Sequence, residues 1–140
     1  MVLGNFSIIR IALLTTIFSI SSCAQADISL STVNGKCSVT TRGQSVELEL
    51  TPPCELVKIE YKDHYYHQYN DNKVFIVAGQ PAQLDKLTKW SVIEKDRCSL
   101  QSQAVIINKA AVRVAAISYG SLTCPDIGLD EKFYRSVLDN

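Results

Sequence analysis

Residues 62–73 read KDHYYHQYNDNK and hold both histidines of the chain and, with Tyr61 just ahead, four of its six tyrosines. Three chemistries fit such a cluster. His64 and His67 stand three apart, which on a helix brings both rings to one side, and Asp63 and Asp71 supply carboxylate oxygens nearby. Imidazole with carboxylate suits zinc, copper or nickel. On a strand the same spacing turns the two rings to opposite faces, and the flanking residues follow period two. No metal site is therefore assigned, and a metal or small-ligand carrier working through His64 and His67 stands as an alternative.

Nucleophilic catalysis needs a serine or cysteine beside a histidine that a third group orients. The candidate serine, Ser121 in YGSLTC, lacks a G-x-S-x-G setting. Glu55 and Asp126 are carboxylates that the fold would have to bring together. No catalytic residue and no cofactor is assigned, and a hydrolase is the further alternative. Binding has more physical support, because tyrosine offers a large, rigid, amphipathic surface at modest entropic cost. The contact set is Tyr61, His64, Tyr65, Tyr66, His67 and Tyr69. Against it stands a framework reading, in which the tyrosines make cross-strand pairs and Tyr61, Tyr65 and Tyr69 share one inward face.

What must position this cluster is an exported domain. Arg10 precedes an apolar run over residues 11–20, followed by SSCAQA and its Ala24-x-Ala26 pattern. Ten positions are about half of the roughly 20 that span a bilayer, so residues 1–26 read as a secretory signal cut before Asp27. The alternative exit is a bacterial lipobox, ISSC, with Cys23 lipidated and first in the mature chain. Cys37, Cys54, Cys98 and Cys124 remain, and an even count in a short exported chain reads as a disulfide framework. Their spacings of 17, 44 and 26 residues lack the close pairs of a zinc site. The local pairing, Cys37 with Cys54 and Cys98 with Cys124, is preferred because each pair then brackets a hairpin.

Residues 27–140 make one domain. Arg10 is the only charge ahead of Asp27, which leaves 13 basic against 14 acidic residues. That balance, with no basic patch, argues against a nucleic-acid partner. SVELELTPPC alternates Val46, Leu48 and Leu50 with Glu47 and Glu49, CSVTT aligns Cys37 with Val39, and Gly43 sits where a tight turn falls, so residues 37–50 read as a hairpin. LVKIEY alternates Val57, Ile59 and Tyr61 with Lys58 and Glu60. VFIVA (74–78) is apolar throughout, as a strand covered on both faces requires. The aromatic cluster joins these two strands at their tip.

QPAQLDKLTKW carries Pro81, Leu84 and Leu87 at the spacing of a short helix, and Trp90 after it reads as a core plug. QAVII and AVRVAAISY form a second hairpin turning at Asn108. CPDIGLDEKFYRSVL reads as a closing helix, with Asp130 and Glu131 ahead of Phe133, Val137 and Leu138 and Arg135 towards its end, or equally as an extended segment. The expected fold is mainly β: a small antiparallel sheet or sandwich with one or two short helices and two disulfides. The expected function is a bacterial periplasmic or secreted protein that binds another envelope or extracellular protein by steric occlusion, as an inhibitor, immunity-type or accessory factor. No transmembrane span is expected, and a lipid anchor would come through Cys23.

Overall fold

The computed structural model describes residues 28–60 and 64–140; the expected signal segment with Cys23, and Tyr61 and Asp63 of the cluster, lie outside the described residues. The fold is mainly β, in two antiparallel sheets. β1 (Ser29–Val33), β2 (Lys36–Thr41) and β3 (Gln44–Glu47) form the first, in that order. The β2–β3 turn places Arg42 at φ 51° and Gly43 at φ 74°, the left-handed pair that matches strand twist in a two-residue hairpin. Beyond β3 the pairing with β2 continues, as Leu48 N donates to Cys37 O at 2.8 Å.

The second sheet is built on two long strands, β6 (Asn72–Ala78) and β7 (Ser99–Ile107), with Phe75 opposite Val105. β4 (Glu55–Leu56) and β5 (Tyr66–Tyr69) share the outer edge of β6, while β8 (Val112–Val114) and β9 (Ser118–Thr123) share the outer edge of β7. The predicted strand AVRVAAISY is thus divided at residues 115–117, where Ala115 N still donates to Ala104 O at 3.0 Å. Asn108 closes the β7–β8 turn by accepting from the backbone of Ala110 and Ala111, both at 2.9 Å.

Both faces of β6 are buried, which is why VFIVA has no polar partner residues. Phe75 and Val77, with Val105 and Ile107, pack against Cys37, Val39, Leu48 and Leu50 of the first sheet. Val74, Ile76 and Ala78, with Ala104 and Ile106, pack against Val57, Ile59 and Tyr134 of the closing helix α1 (Glu131–Ser136). Each such aliphatic side chain withdrawn from water is worth about 1.5–3 kcal/mol. Between the sheets, Gln103 Oε1 accepts from Glu49 N at 2.8 Å, and Gln103 Nε2 donates to Ala115 O at 2.9 Å, so both polar ends of a buried amide are engaged.

The disulfides are Cys37–Cys54 and Cys98–Cys124. Cys98–Cys124 sits one residue beyond the Ser99–Thr123 pair and locks the end of β7 and β9. Cys37–Cys54 encloses the β2–β3 hairpin and also fastens β2 to the residue ahead of β4, so it ties one sheet to the other. A 17-residue loop closed this way restricts the unfolded chain by about 3 kcal/mol.

Two expectations are corrected. QPAQLDKLTKW forms only a 3-10 turn at Leu84–Lys86, because Leu87 alone faces inward while Leu84 is exposed, leaving no apolar stripe to offset helix nucleation. Trp90 is half-buried over the small cluster around Cys98–Cys124, with Lys89 Nζ 4.4 Å from its ring centroid, so it caps that cluster from outside. The closing helix forms where expected, and Asp130 Oδ1 accepts from Lys132 N at 2.8 Å as its N-cap. The loop before it is held by Gly128, at φ 86°, where a Cβ would stand 2.9 Å from Lys58 O.

Candidate functional site

The aromatic cluster is a strand more than a loop. Tyr69 pairs with Asn72 across a two-residue turn that begins at Asn70, φ 53°, and β5 runs along β6 with Tyr66 opposite Phe75 and His67 opposite Val74. Alternation then divides the cluster between two faces. Towards the first sheet, the Tyr66 ring lies 5.2 Å from Phe75 and 5.1 Å from His64, with Lys73 Nζ 4.9 Å from its centroid. Towards α1, His67 meets Tyr134 edge-on at 4.7 Å and stacks on Tyr69 at 6.1 Å.

Tyr69 is further tied to the helix. Its hydroxyl donates to Glu131 Oε1 at 3.3 Å, and Arg135, paired with Glu131 at 3.2 Å, lies 5.5 Å over the ring. Burial, and then the Glu131 carboxylate, push the Tyr69 hydroxyl above its ordinary pKa. Burial drives the Tyr134 hydroxyl much further up, and that hydroxyl has no hydrogen-bond partner among the described residues. Tyr65 differs from the rest: it stands in the bend before β5 and is 39% exposed. The strand period therefore never reaches it, and Tyr65 and Tyr69 share no inward face.

His64 and His67 point to opposite sides of the sheet and do not converge on one ion. Among the described residues no group of three or more His, Cys, Asp or Glu side chains is placed to hold a metal. Ser121 lies on β9, separated from β5 by β6 and β7, so three strand spacings of about 4.8 Å put it at least about 14 Å from His67. Glu55 and Asp126 are brought together, as an acid pair would be, but across a cation. Arg97 Nε donates to Glu55 Oε2 at 2.9 Å and Nη2 to Asp126 Oδ2 at 3.0 Å. These carboxylates, Glu55 foremost, hold the guanidinium charged and raise its pKa. Placed beside Cys98 and two residues from Cys124, the trio acts as a surface clamp on the second disulfide.

Sequence reasoning overlooked Tyr134, the most voluminous fully buried side chain. Its signal was present, since Tyr134 and Leu138 are four apart on the inner face of the closing helix. It also overlooked Arg97, for which DRC gives no sign, the exposed Tyr119 on β9, and the exposed Ile93, which shares a groove beside Cys98 with Leu84. Among the described residues no helix is long and apolar enough to cross a membrane. Compared with protein-family models, with curated proteins and with solved structures, the chain matches none.

Proposed function

We propose that residues 27–140 form one exported bacterial domain that acts by binding another envelope or extracellular protein through the aromatic side chains at the start of β5, with Tyr65 as the contact, blocking that partner sterically. The observation that carries this reading is the contrast within the cluster: Tyr66 and His67 pin the hairpin from both faces while Tyr65 is left outward. A rigid aromatic anchor that is already ordered loses little entropy on binding. His64, half-buried beside Tyr66, and Tyr69, held by Glu131, shape the surface around it. Two disulfides suit an oxidising compartment, periplasmic or extracellular. Cleavage before Asp27 would release the domain, and lipidation of Cys23 would tether it.

A second surface suits the same role. Leu84 and Ile93, 45% and 61% exposed, face one groove beside Cys98, and clustered exposed apolar residues mark contact sites. Pull-down from envelope extract with the mature protein separates the two. Tyr65→Ala is expected to weaken capture by about 1–4 kcal/mol, the range of an aromatic hot spot, while Ile93→Ser and Tyr119→Ala leave it intact. Capture lost with Ile93→Ser and retained with Tyr65→Ala transfers the role to the groove.

A further inference from the structure

β1, with the sequence SLSTV, is an outer strand of the first sheet, paired on one side only, with β2. Its turn fixes which backbone groups face outward. Asn34 and Gly35, at φ 52° and 74°, form a two-residue hairpin turn, so Val33 and Lys36 exchange the hydrogen bonds that close it. Alternation makes Ser31 with Ser38, and Ser29 with Thr40, the next such pairs. The far side of β2 agrees: Cys37 O accepts from Leu48 N at 2.8 Å, so Cys37 turns to β3 while its neighbours Lys36 and Ser38 turn to β1. Leu30 and Thr32 therefore direct N–H and C=O away from β2, and neither has a partner on that side among the described residues.

Open strand edges invite another strand, and proteins blunt them with shortness, charge or a bulge. The other edges here are blunted in these ways. β3 ends in Glu47, β4, β5 and β8 have only two, four and three residues, and β9 shifts register against β7 between Ser99 and Gln101. β1 has five residues in unbroken register, with no charge and no proline. It is also complementary to itself. A two-fold axis through Ser31 sets Leu30 opposite Thr32 of a second copy, and Thr32 opposite its Leu30, each pair exchanging both of its N–H···O bonds. On the solvent face Ser31 meets its own counterpart in a non-hydrogen-bonded pair, with Cα atoms about 4.5 Å apart, within reach of a bond between the hydroxyls. Ser29 then faces Val33, which is 49% exposed in the single chain. No charge opposes another, and Lys36 just past the turn is already paired with Glu47 at 3.2 Å.

We propose that β1 pairs with β1 of a second copy of this chain, antiparallel about Ser31, joining two three-stranded sheets into one continuous sheet. Five residues a side make a small contact, so the dimer is weak and concentration-dependent. The edge belongs to the first sheet, and the proposal does not rest on the contact at Tyr65. Sedimentation equilibrium of the mature protein, raised to millimolar concentration, is expected to approach twice the monomer mass. Thr32→Pro removes an outward donor and leaves the β1–β2 ladder whole, so it should stay monomeric with an unchanged melting temperature. Under mild oxidation Ser31→Cys should form a disulfide-linked dimer, whereas Ser29→Cys, about 14 Å from its own counterpart, should not. A Thr32→Pro variant that dimerises like the parent, or cross-linking by Ser29→Cys as readily as by Ser31→Cys, would overturn the proposal. So would a parent that stays monomeric throughout, which would leave the edge to an extended segment of another protein.

Discussion

The second sheet ends in two edges that treat the space beside α1 in opposite ways. At the β5 edge the rings of His67, Tyr69 and Tyr134 fill it, 4.7 and 6.1 Å apart. At the β8–β9 edge Ala115, Ala116 and Ser118 leave a cleft beside Phe133 and Val137. A six-residue helix seals only as much sheet as its large side chains reach, and beyond that reach residue volume decides between core and cleft. The residues that look most chemical, the histidines and tyrosines, are largely spent on packing. Serines and alanines, which draw no notice in a sequence, leave a cleft.

Tyr134→Ala should break the filled edge with the largest effect, about 3–5 kcal/mol by urea unfolding, because His67 and Val74 cannot follow the missing ring. Alkaline titration probes the same ring more gently. Its hydroxyl is held neutral in the fold, so the folded pKa lies above the unfolded value of about 10. The associated stability is present below pH 10 and is lost as pH rises beyond it, at about 1.4 kcal/mol per unit. Tyr134→Phe should lose this dependence, and at pH 7 should be no less stable than the parent, since the hydroxyl it removes has no partner among the described residues. At the open edge, Ala115→Leu should cost less than about 1 kcal/mol, because the added atoms enter a cleft and displace nothing. Smallest is Tyr65→Ala, within about 0.5 kcal/mol for an exposed side chain.

Patterns with a local cause were legible in the sequence. Alternation around Glu47 and Glu49, the unbroken VFIVA and the paired cysteine spacing gave the strands and the disulfides. The β1–β2 hairpin was equally legible through Asn34–Gly35, a strong two-residue turn signal that the reading passed over. What sequence could not supply was relative placement. Nothing in Cys37 or Cys54 says that their bond would cross between sheets, since that depends on how two independent hairpins stack. Arg97 between Glu55 and Asp126 joins residues that only the folded chain brings near. In the cluster His64 and His67 do lie on opposite faces, but His64 stands in the bend ahead of β5, outside the strand period. Period two misled at Tyr65, because β5 begins one residue later.

The claim that Tyr65 is the contact on an otherwise anchored hairpin is tested most directly by placing a photo-crosslinking phenylalanine at single positions of the exported protein in cells. Position 65 is predicted to give one discrete heavier species, with none from position 66, whose side chain faces Phe75, or from position 93 on the apolar groove. A species from position 93 with none from position 65 would contradict it.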